Sequence, residues 1–550
     1  MARRGKVVAG AVGNCVHVAG VSGFLALAEE IGCEPVFLGP ANSVAAFADA
    51  VATHDPEIVG VSYRLTPDVL PGILASLKAE LERRGLFHGR RYLFGGTPPT
   101  ARVARGAGWF ERAFTGFETT EEVIAFLKGE AGGGEEAPHP ATQLERLRRN
   151  APYPLLRHHF GLPTLRATVA GVREIALSKV VDVISLAPDQ NAQECFFRPA
   201  EMDPALDGAG GVPVRTSEDL QLIYAASRCG NYPLLRIYSG TRDLVRWAEV
   251  ALETIRNAWG AIPLCWYSEL DGRSRRTVAE AVAENRETMR WYAQRGIPVE
   301  VNEAHHWSLR EGHDALSVAM AYVAAYNARS VGVRHYIAQY MFNTPAGTHA
   351  SMDLAKMLAK MEMIESLHRE GFTSFRQVRA GLLHFAPDLD LAKGQLAAST
   401  MLALAMRPHI IHVVGFTEGD HAAQAEEVIE SCKIVRGVLR NCLFGLPDMA
   451  ADPAVQRRKR QLLDEARAIV DGIQTLGGGR PDALTDPETL ALAMRAGVLD
   501  APQLRGNPAV AGLAHTRTID GAVHAVDPAT RAALSEKERI GRLLPPRAAA

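Results

Sequence analysis

Short apolar runs and longer amphipathic stretches alternate along residues 1–130. KVVAGAV (6–12), PVFLG (35–39), IVGVSY (58–63), RYLFGG (91–96) and ERAFTG (111–116) have the length and apolar content of buried strands. Between them, SGFLALAEEIG (22–32), SVAAFADAVATH (43–54), LPGILASLKAELERRG (70–85) and TEEVIAFLKGE (120–130) repeat apolar residues at helical spacing. This alternation predicts an α/β domain over 1–130 built on a doubly wound, flavodoxin-like parallel sheet. Ligands of such sheets bind beyond the carboxyl ends of the strands.

EAGGGEEAPHPATQ (130–143) breaks the pattern with Gly, Pro and charge, so residues 131–150 read as a linker. Alternation then resumes over 151–450. VDVISLA (181–187), PLLRIY (233–238), IPLCWY (262–267), VEVNEA (299–304), VRHYIAQY (333–340) and IIHVVGF (410–416) read as strands, separated by long helical patterns such as 274–296. Repeated βα units over this length predict a (β/α)8 TIM barrel, which takes about 250 residues. Active-site residues of a barrel follow the strand ends, which singles out Asp189, Tyr238, Ser268, Glu303 and Glu418. Residues 451–550 open with a basic helical pattern and become irregular, as a lid or dimerisation extension would.

Composition narrows the class. Hydrophobic residues make up 47% and charged residues 22% of the chain, as in an ordinary globular protein. The formal net charge of -2 offers no basic excess to draw nucleic acid or a membrane surface. The N-terminal apolar run is broken by Asn14, Cys15 and His17, and is too short and polar for a signal peptide. Seven scattered cysteines without a CxxC read as reduced thiols in a cytoplasmic protein.

The chemistry begins at GNCVHVAG (13–20), the loop after the first strand. It carries neither GxGxxG nor a P-loop, but sets His17 among small residues. Ser62 ends the third strand, and Gly95 and Gly96 end the fourth. Together these residues resemble the DxHxxG…S…GG signature of cobalamin-binding domains, above all the small subunit of glutamate mutase (methylaspartate mutase). The resemblance implies that His17 is the lower axial ligand of cobalt, and that Ser62 bonds the displaced benzimidazole. It implies that Gly20, Gly95 and Gly96 clear space for the nucleotide tail, and adds Cys15, Leu65 and Gly116 to the cofactor-binding set. Neutral imidazole suits a borderline transition metal. Cys15 stands where the family has the aspartate that orients the histidine; a thiol is a weaker acceptor, and Asn14 could partly substitute.

The second half resembles the barrel subunit of the same family. SGTRD (239–243) is like its HGTPD; residues 190–195, 267–307, His384 and 490–512 follow the family's order. A fused chain of this kind implies an adenosylcobalamin-dependent carbon-skeleton mutase, an isomerase working by radical chemistry on a small-molecule substrate, and a homodimer. The three arginines with which glutamate mutase grips its substrate align with Asp189, Tyr238 and Glu303. Two carboxylates there would favour an amine-bearing or uncharged substrate over glutamate, leaving Arg236, deeper on Tyr238's face, as a single carboxylate anchor. A corrinoid methyltransferase usually carries a helical cap ahead of the cobalamin domain, and the first strand starts at residue 6. An aminomutase needs a lysine for pyridoxal phosphate, and Lys78, Lys128 and Lys179 sit in or beside helical patterns. A non-catalytic cobalamin-binding protein would not need the barrel. His305, His306 and His313 lack the spacing of HExxH, so no second metal is expected.

Overall fold

Five short parallel strands form the sheet of the first unit: β1 (Lys6–Ala11), β2 (Glu34–Phe37), β3 (Ile58–Tyr63), β4 (Arg91–Gly96) and β5 (Arg112–Phe114), in the order β2-β1-β3-β4-β5. The computed structural model describes residues 5–116, 118, 120–129, 139–238 and 240–544, in two units, 1–138 and 139–550. Residues 131–138 of the expected linker lie outside the described residues, as does Ser239 of the SGTRD motif.

β3 is buried along its whole length because helices cover both faces of the sheet. On one face Val21, Leu25 and Ala28 of the helix Ala19–Glu30 pack with Phe126 onto Val7 and Ala9. On the other face Phe47, Leu74 and Leu77 cover Val59 and Val61. The strand order reverses between β1 and β3, so the loops leaving their carboxyl ends diverge and open a crevice. One helix, Pro98–Gly106, is absent from the sequence expectation. Its PP start reads as loop, yet proline suits a first helical turn, where its missing N–H would be unpaired anyway.

The second unit is a nearly closed parallel barrel of eight strands: β6 (Leu155–Phe160), β7 (Val183–Leu186), β8 (Leu234–Ile237), β9 (Gly260–Ile262), β10 (Val299–Val301), β11 (His335–Phe342), β12 (Thr373–Ala380) and β13 (Ile410–Val413). β13 pairs with β6, giving the order β8-β7-β6-β13-β12-β11-β10-β9. No ladder joins β8 to β9. There the Ala258 N–H donates to the Leu235 carbonyl (2.9 Å), and the Ile237 N–H donates to Asn257 Oδ1 (3.0 Å). IPLCWY, expected as a strand, contributes little beyond Ile262; the rest forms the loop after β9.

The barrel interior carries a charged floor. Arg157 of β6 and Arg236 of β8 converge on Glu300 of β10 at 3.2 and 3.3 Å, and Trp259 Nε1 donates to the same carboxylate at 2.7 Å. Arg157 also donates to Ser185 Oγ (2.6 Å) and Gln377 Oε1 (2.8 Å). Burial disfavours the Glu300 anion, but the two guanidiniums outweigh it and hold its carboxyl below the usual range.

Two boundaries move. The helix Gln143–Asn150 lies in the stretch read as linker, yet belongs to the barrel unit: Arg146 donates to the carbonyls of Asp182, Asn231 and Tyr232. The tail likewise packs onto the barrel's helical shell. Its helix Pro453–Leu476 lies against Asp314–Ser330 and Ala350–Glu365, and Arg458 reaches the buried Asp314 (3.1 Å), which also holds Lys356 (3.3 Å).

Candidate functional site

The first unit holds a cavity of about 520 Å3 at the carboxyl ends of its strands. Gly20, Ser62, Gly95, Gly96 and Gly116 all line it, although they come from four separate segments: the first helix, the ends of β3 and β4, and the turn after β5. The glycines differ in what holds them there. A Cβ built on Gly20, Gly23 or Gly95 would meet no atom within 4 Å, so it would project into open space. At Gly96 a Cβ would strike Thr100 Oγ1 (2.4 Å) and the Tyr63 carbonyl (2.6 Å). Packing alone therefore demands glycine at 96, whereas Gly20, Gly23 and Gly95 keep the cavity wide. Gly116 combines open space with φ of +82°, which favours glycine. Leu65 follows β3, half-buried, and packs on the apolar cluster beneath the sheet rather than lining the cavity.

His17 is exposed on the loop between β1 and the helix Ala19–Glu30. Cys15, two residues earlier, is fully buried. Its Sγ lies 3.9 Å from His17 Nδ1 and accepts the Arg64 N–H at 3.3 Å. The sulfur thus ties the β1 loop to the β3 loop across the crevice. It stands next to the ring nitrogen a metal-ligating histidine would use to orient itself, leaving Nε2 as the outward nitrogen. Asn14 is exposed, and among the described residues it makes no hydrogen bond to His17.

A second cavity of about 740 Å3 occupies the carboxyl-terminal end of the barrel. His158 and His159 of β6, Tyr238 after β8, Arg379 of β12 and His412 of β13 face into it, and Glu418 lines it from the loop after β13. Arg157 Nη2 donates to His159 Nε2 (2.9 Å). A guanidinium only donates, so that nitrogen carries the lone pair and the proton sits on Nδ1. The Tyr238 hydroxyl, 3.0 Å from the same nitrogen, shares that one lone pair with Arg157 as a second donor, and its oxygen remains an acceptor. Burial, reinforced by the neighbouring arginines, pulls His159, His305 and His412 well below the ordinary imidazole range; His158 falls to about 4. The chamber's imidazoles are neutral at physiological pH.

The expected barrel residues divide. Tyr238 and Glu418 line the chamber; Asp189 and Glu303 do not. Asp189 caps the helix Gln190–Cys195, accepting the Ala192 and Gly208 N–H groups (both 2.9 Å) and a bidentate pair from Arg215 at 2.9 and 2.6 Å. Glu303 accepts the Leu264 and Cys265 N–H groups at 3.0 and 2.9 Å and Trp307 Nε1 at 2.9 Å, and burial pushes its carboxyl up to about 7. Every oxygen of both carboxylates is committed to the fold, so neither is free to grip a substrate amine. Ser268 is likewise spent on a turn, donating to the Cys265 carbonyl (2.7 Å). Arg236 is deeper on Tyr238's face as expected, 4.2 Å beneath the ring, but that ring and Glu300 separate it from the chamber. His305 and His306 line the chamber, and His313 pairs with Glu536 (3.4 Å) away from it. Among the described residues no group of three His, Cys, Asp or Glu side chains is placed to hold a metal ion. No helix among them is long and apolar enough to cross a membrane.

Arg379, His159 and His412 are site residues that the sequence reading missed. Their signal was polarity inside strands: LLRHHF and TSFRQVRA put charged and aromatic side chains where a barrel lining alternates.

No family model and no curated protein matches the chain. Solved structures similar to it include a cobalamin-binding protein from Desulfitobacterium hafniense DCB-2, at 25% identity and a TM-score of 0.21 over 24% of this chain. The chain spans 60% of that protein's length. They include the cobalamin-dependent S-adenosylmethionine radical enzyme OxsB, at 13% identity and a TM-score of 0.19, covering 91% of this chain and 74% of OxsB. They also include NtrX from Brucella abortus in complex with ATP, at 10% identity and a TM-score of 0.17, covering 86% of this chain and 94% of NtrX.

Proposed function

We propose that the first unit binds a cobalamin and that the chain is an adenosylcobalamin-dependent radical mutase, related in design to glutamate mutase but acting on a different substrate. One observation carries the cofactor assignment: a glycine-walled cavity of about 520 Å3 at the switch point of the sheet, with the exposed imidazole of His17 three residues before Gly20 of its wall. The residues fit the group. His17 offers Nε2 as a metal ligand, and Cys15 Sγ accepts from Nδ1–H. Gly20, Gly23 and Gly95 leave room that any side chain would occupy, and Ser62 supplies a hydroxyl at the cavity wall. When bound, adenosylcobalamin supplies a carbon-centred radical able to take a hydrogen atom from an unactivated carbon.

The barrel residues do the remaining work. The charged floor closes the chamber from below, so that a reactive species is held away from bulk water. Tyr238 and the neutral His159 present a hydrogen-bond acceptor and a donor on a fixed frame. Of the carboxylates that line the chamber, Glu194, Asp271 and Glu418, Asp271 is paired with Arg273 and Arg310, and Glu418 takes over the amine-binding role expected of Asp189 and Glu303.

Gly95→Leu tests the cavity. A side chain placed in the nucleotide slot should cost about 1–3 kcal/mol, or on the order of 10–100-fold in cobalamin Kd. Spectrophotometric titration reads it; an unchanged Kd would remove the slot from cobalamin binding. Cys15→Ala tests the histidine's support and should weaken cobalamin binding by about tenfold. Equal affinity would reduce Cys15 to packing. Mutase chemistry itself predicts a cob(II)alamin–organic radical EPR signal with adenosylcobalamin and an amine-bearing acid, and none with glutamate. Methyl transfer from methylcobalamin to a thiol would instead support the methyltransferase reading.

A further inference from the structure

Arg379 stands in the chamber wall near the end of β12 with 7% of its surface exposed. Its Nε donates to the Ala380 carbonyl at 3.3 Å, and among the described residues its guanidinium forms no ion pair within 4 Å. The other arginines of this region each have a carboxylate within 4 Å. Arg157 and Arg236 share Glu300, and Arg273 and Arg310 reach the buried Asp271 at 3.7 and 4.0 Å. Glu418 feels Arg379 electrostatically but does not contact it, and is itself exposed at the chamber's edge. A guanidinium taken out of water without a carboxylate is costly unless a ligand completes it.

The surroundings specify the ligand's charge. The chamber imidazoles His159, His305 and His412 are neutral, so they add donors and no competing cations. The floor beneath holds two arginines against one glutamate, which adds to the positive potential above it. We propose that Arg379 is the anchor of a substrate carboxylate in the barrel chamber. The planar guanidinium, held at Nε, presents its two terminal nitrogens to a planar, singly charged acceptor. This deepens the mutase reading and rests on the chamber being its substrate site. It also reverses the sequence expectation for the anchor, since Arg236 is screened by Tyr238 and Arg379 is not. With Glu418 also lining the chamber, the substrate class becomes an acid that carries an amine.

The full chain without cobalamin, titrated calorimetrically with propionate, propionamide, propylamine and inorganic phosphate, tests this directly. Propionate should bind best, and Arg379→Gln should weaken it on the order of tenfold or more, with Arg379→Lys in between because it keeps the charge and loses the fork. Thermal melts of both variants establish that they fold; should the glutamine variant not fold, the lysine variant carries the comparison. Propionate binding that is absent in the wild type, or unchanged in both variants, overturns the anchor. So does preferential binding of propylamine, and preferential binding of phosphate overturns the carboxylate assignment. Cobalamin titrations of the same proteins separate the two claims. Lost propionate affinity with intact cobalamin affinity bears on Arg379 alone, whereas a wild type that binds propionate and no cobalamin removes the mutase reading.

Discussion

Replacing His17 by alanine is expected to erase the imidazole-nitrogen superhyperfine structure from the EPR spectrum of the cob(II)alamin-loaded protein. It should also weaken cobalamin binding by at least about 100-fold, since altering a ligand's outer partner already costs 10–100-fold. The expectation follows from geometry. His17 is exposed, its Nδ1 faces the sulfur of Cys15, and no hydrogen bond among the described residues engages Nε2. The alanine variant loses no core packing, because the ring has none, so the melting temperature of the apo-protein should stay within about 1 °C of wild type. That pairing of a large ligand effect with no stability effect is the signature of a binding residue. Retained nitrogen coupling in the variant would mean that the cofactor keeps its own benzimidazole on cobalt, and His17 would lose its assignment. Nitrogen-15 labelling of histidine distinguishes the two sources of coupling in the wild type.

The first unit was legible because its strands are apolar on both faces and its helices keep a clean period. All five strands fall within a few residues of the apolar runs that announce them. Its cavity was legible for a related reason: in this fold the strand ends lie side by side, and Ser62, Gly95 and Gly116, read at the ends of three strands, line one cavity. What the sequence did not separate was ligand-facing from packing glycines. Gly95 and Gly96 are neighbours with opposite reasons for lacking a side chain. The barrel was read with two strands missing. β6 contributes Arg157, His158 and His159, and β12 contributes Arg376, Gln377 and Arg379. Polar residues that make the floor and chamber erase the hydrophobic signature of the strands that carry them. Conversely, Asp189 and Glu303 sit at strand ends in carboxylate form for structural reasons, as a helix cap and as an acceptor for three N–H groups. Position along a barrel strand does not distinguish a carboxylate that faces substrate from one that holds a loop.

Glu300→Gln should be the most destabilising single substitution in the barrel. The carboxylate is fully buried and is the shared counter-charge of Arg157 and Arg236. The amide keeps the volume and one acceptor for Trp259 Nε1, but leaves two guanidiniums close together without an anion. Removing one partner of a buried ion cluster costs about 3–5 kcal/mol, because the remaining charges keep their desolvation penalty. Chemical denaturation followed by tryptophan fluorescence reports on this unit, since of the chain's six tryptophans only Trp109 lies in the other. The pH dependence adds a second check. The folded Glu300 carboxyl is held below its ordinary value by Arg236 and Arg157, against burial. Its contribution is therefore fully present above the unfolded carboxyl pKa of about 4.3 and is lost as pH falls through the lower folded value. The stability gap between wild type and Glu300→Gln should be wide at neutral pH and narrow under strong acid. A gap below about 1 kcal/mol at pH 7, or one that widens with acid, would show that the two arginines are neutralised by some other group. The same substitution should disturb the chamber through contact, since Arg236 lies 4.2 Å under the Tyr238 ring and Arg157 fixes the His159 tautomer. Stability and site geometry meet at one carboxylate, which ties the barrel's closure to the polarity of the space above it.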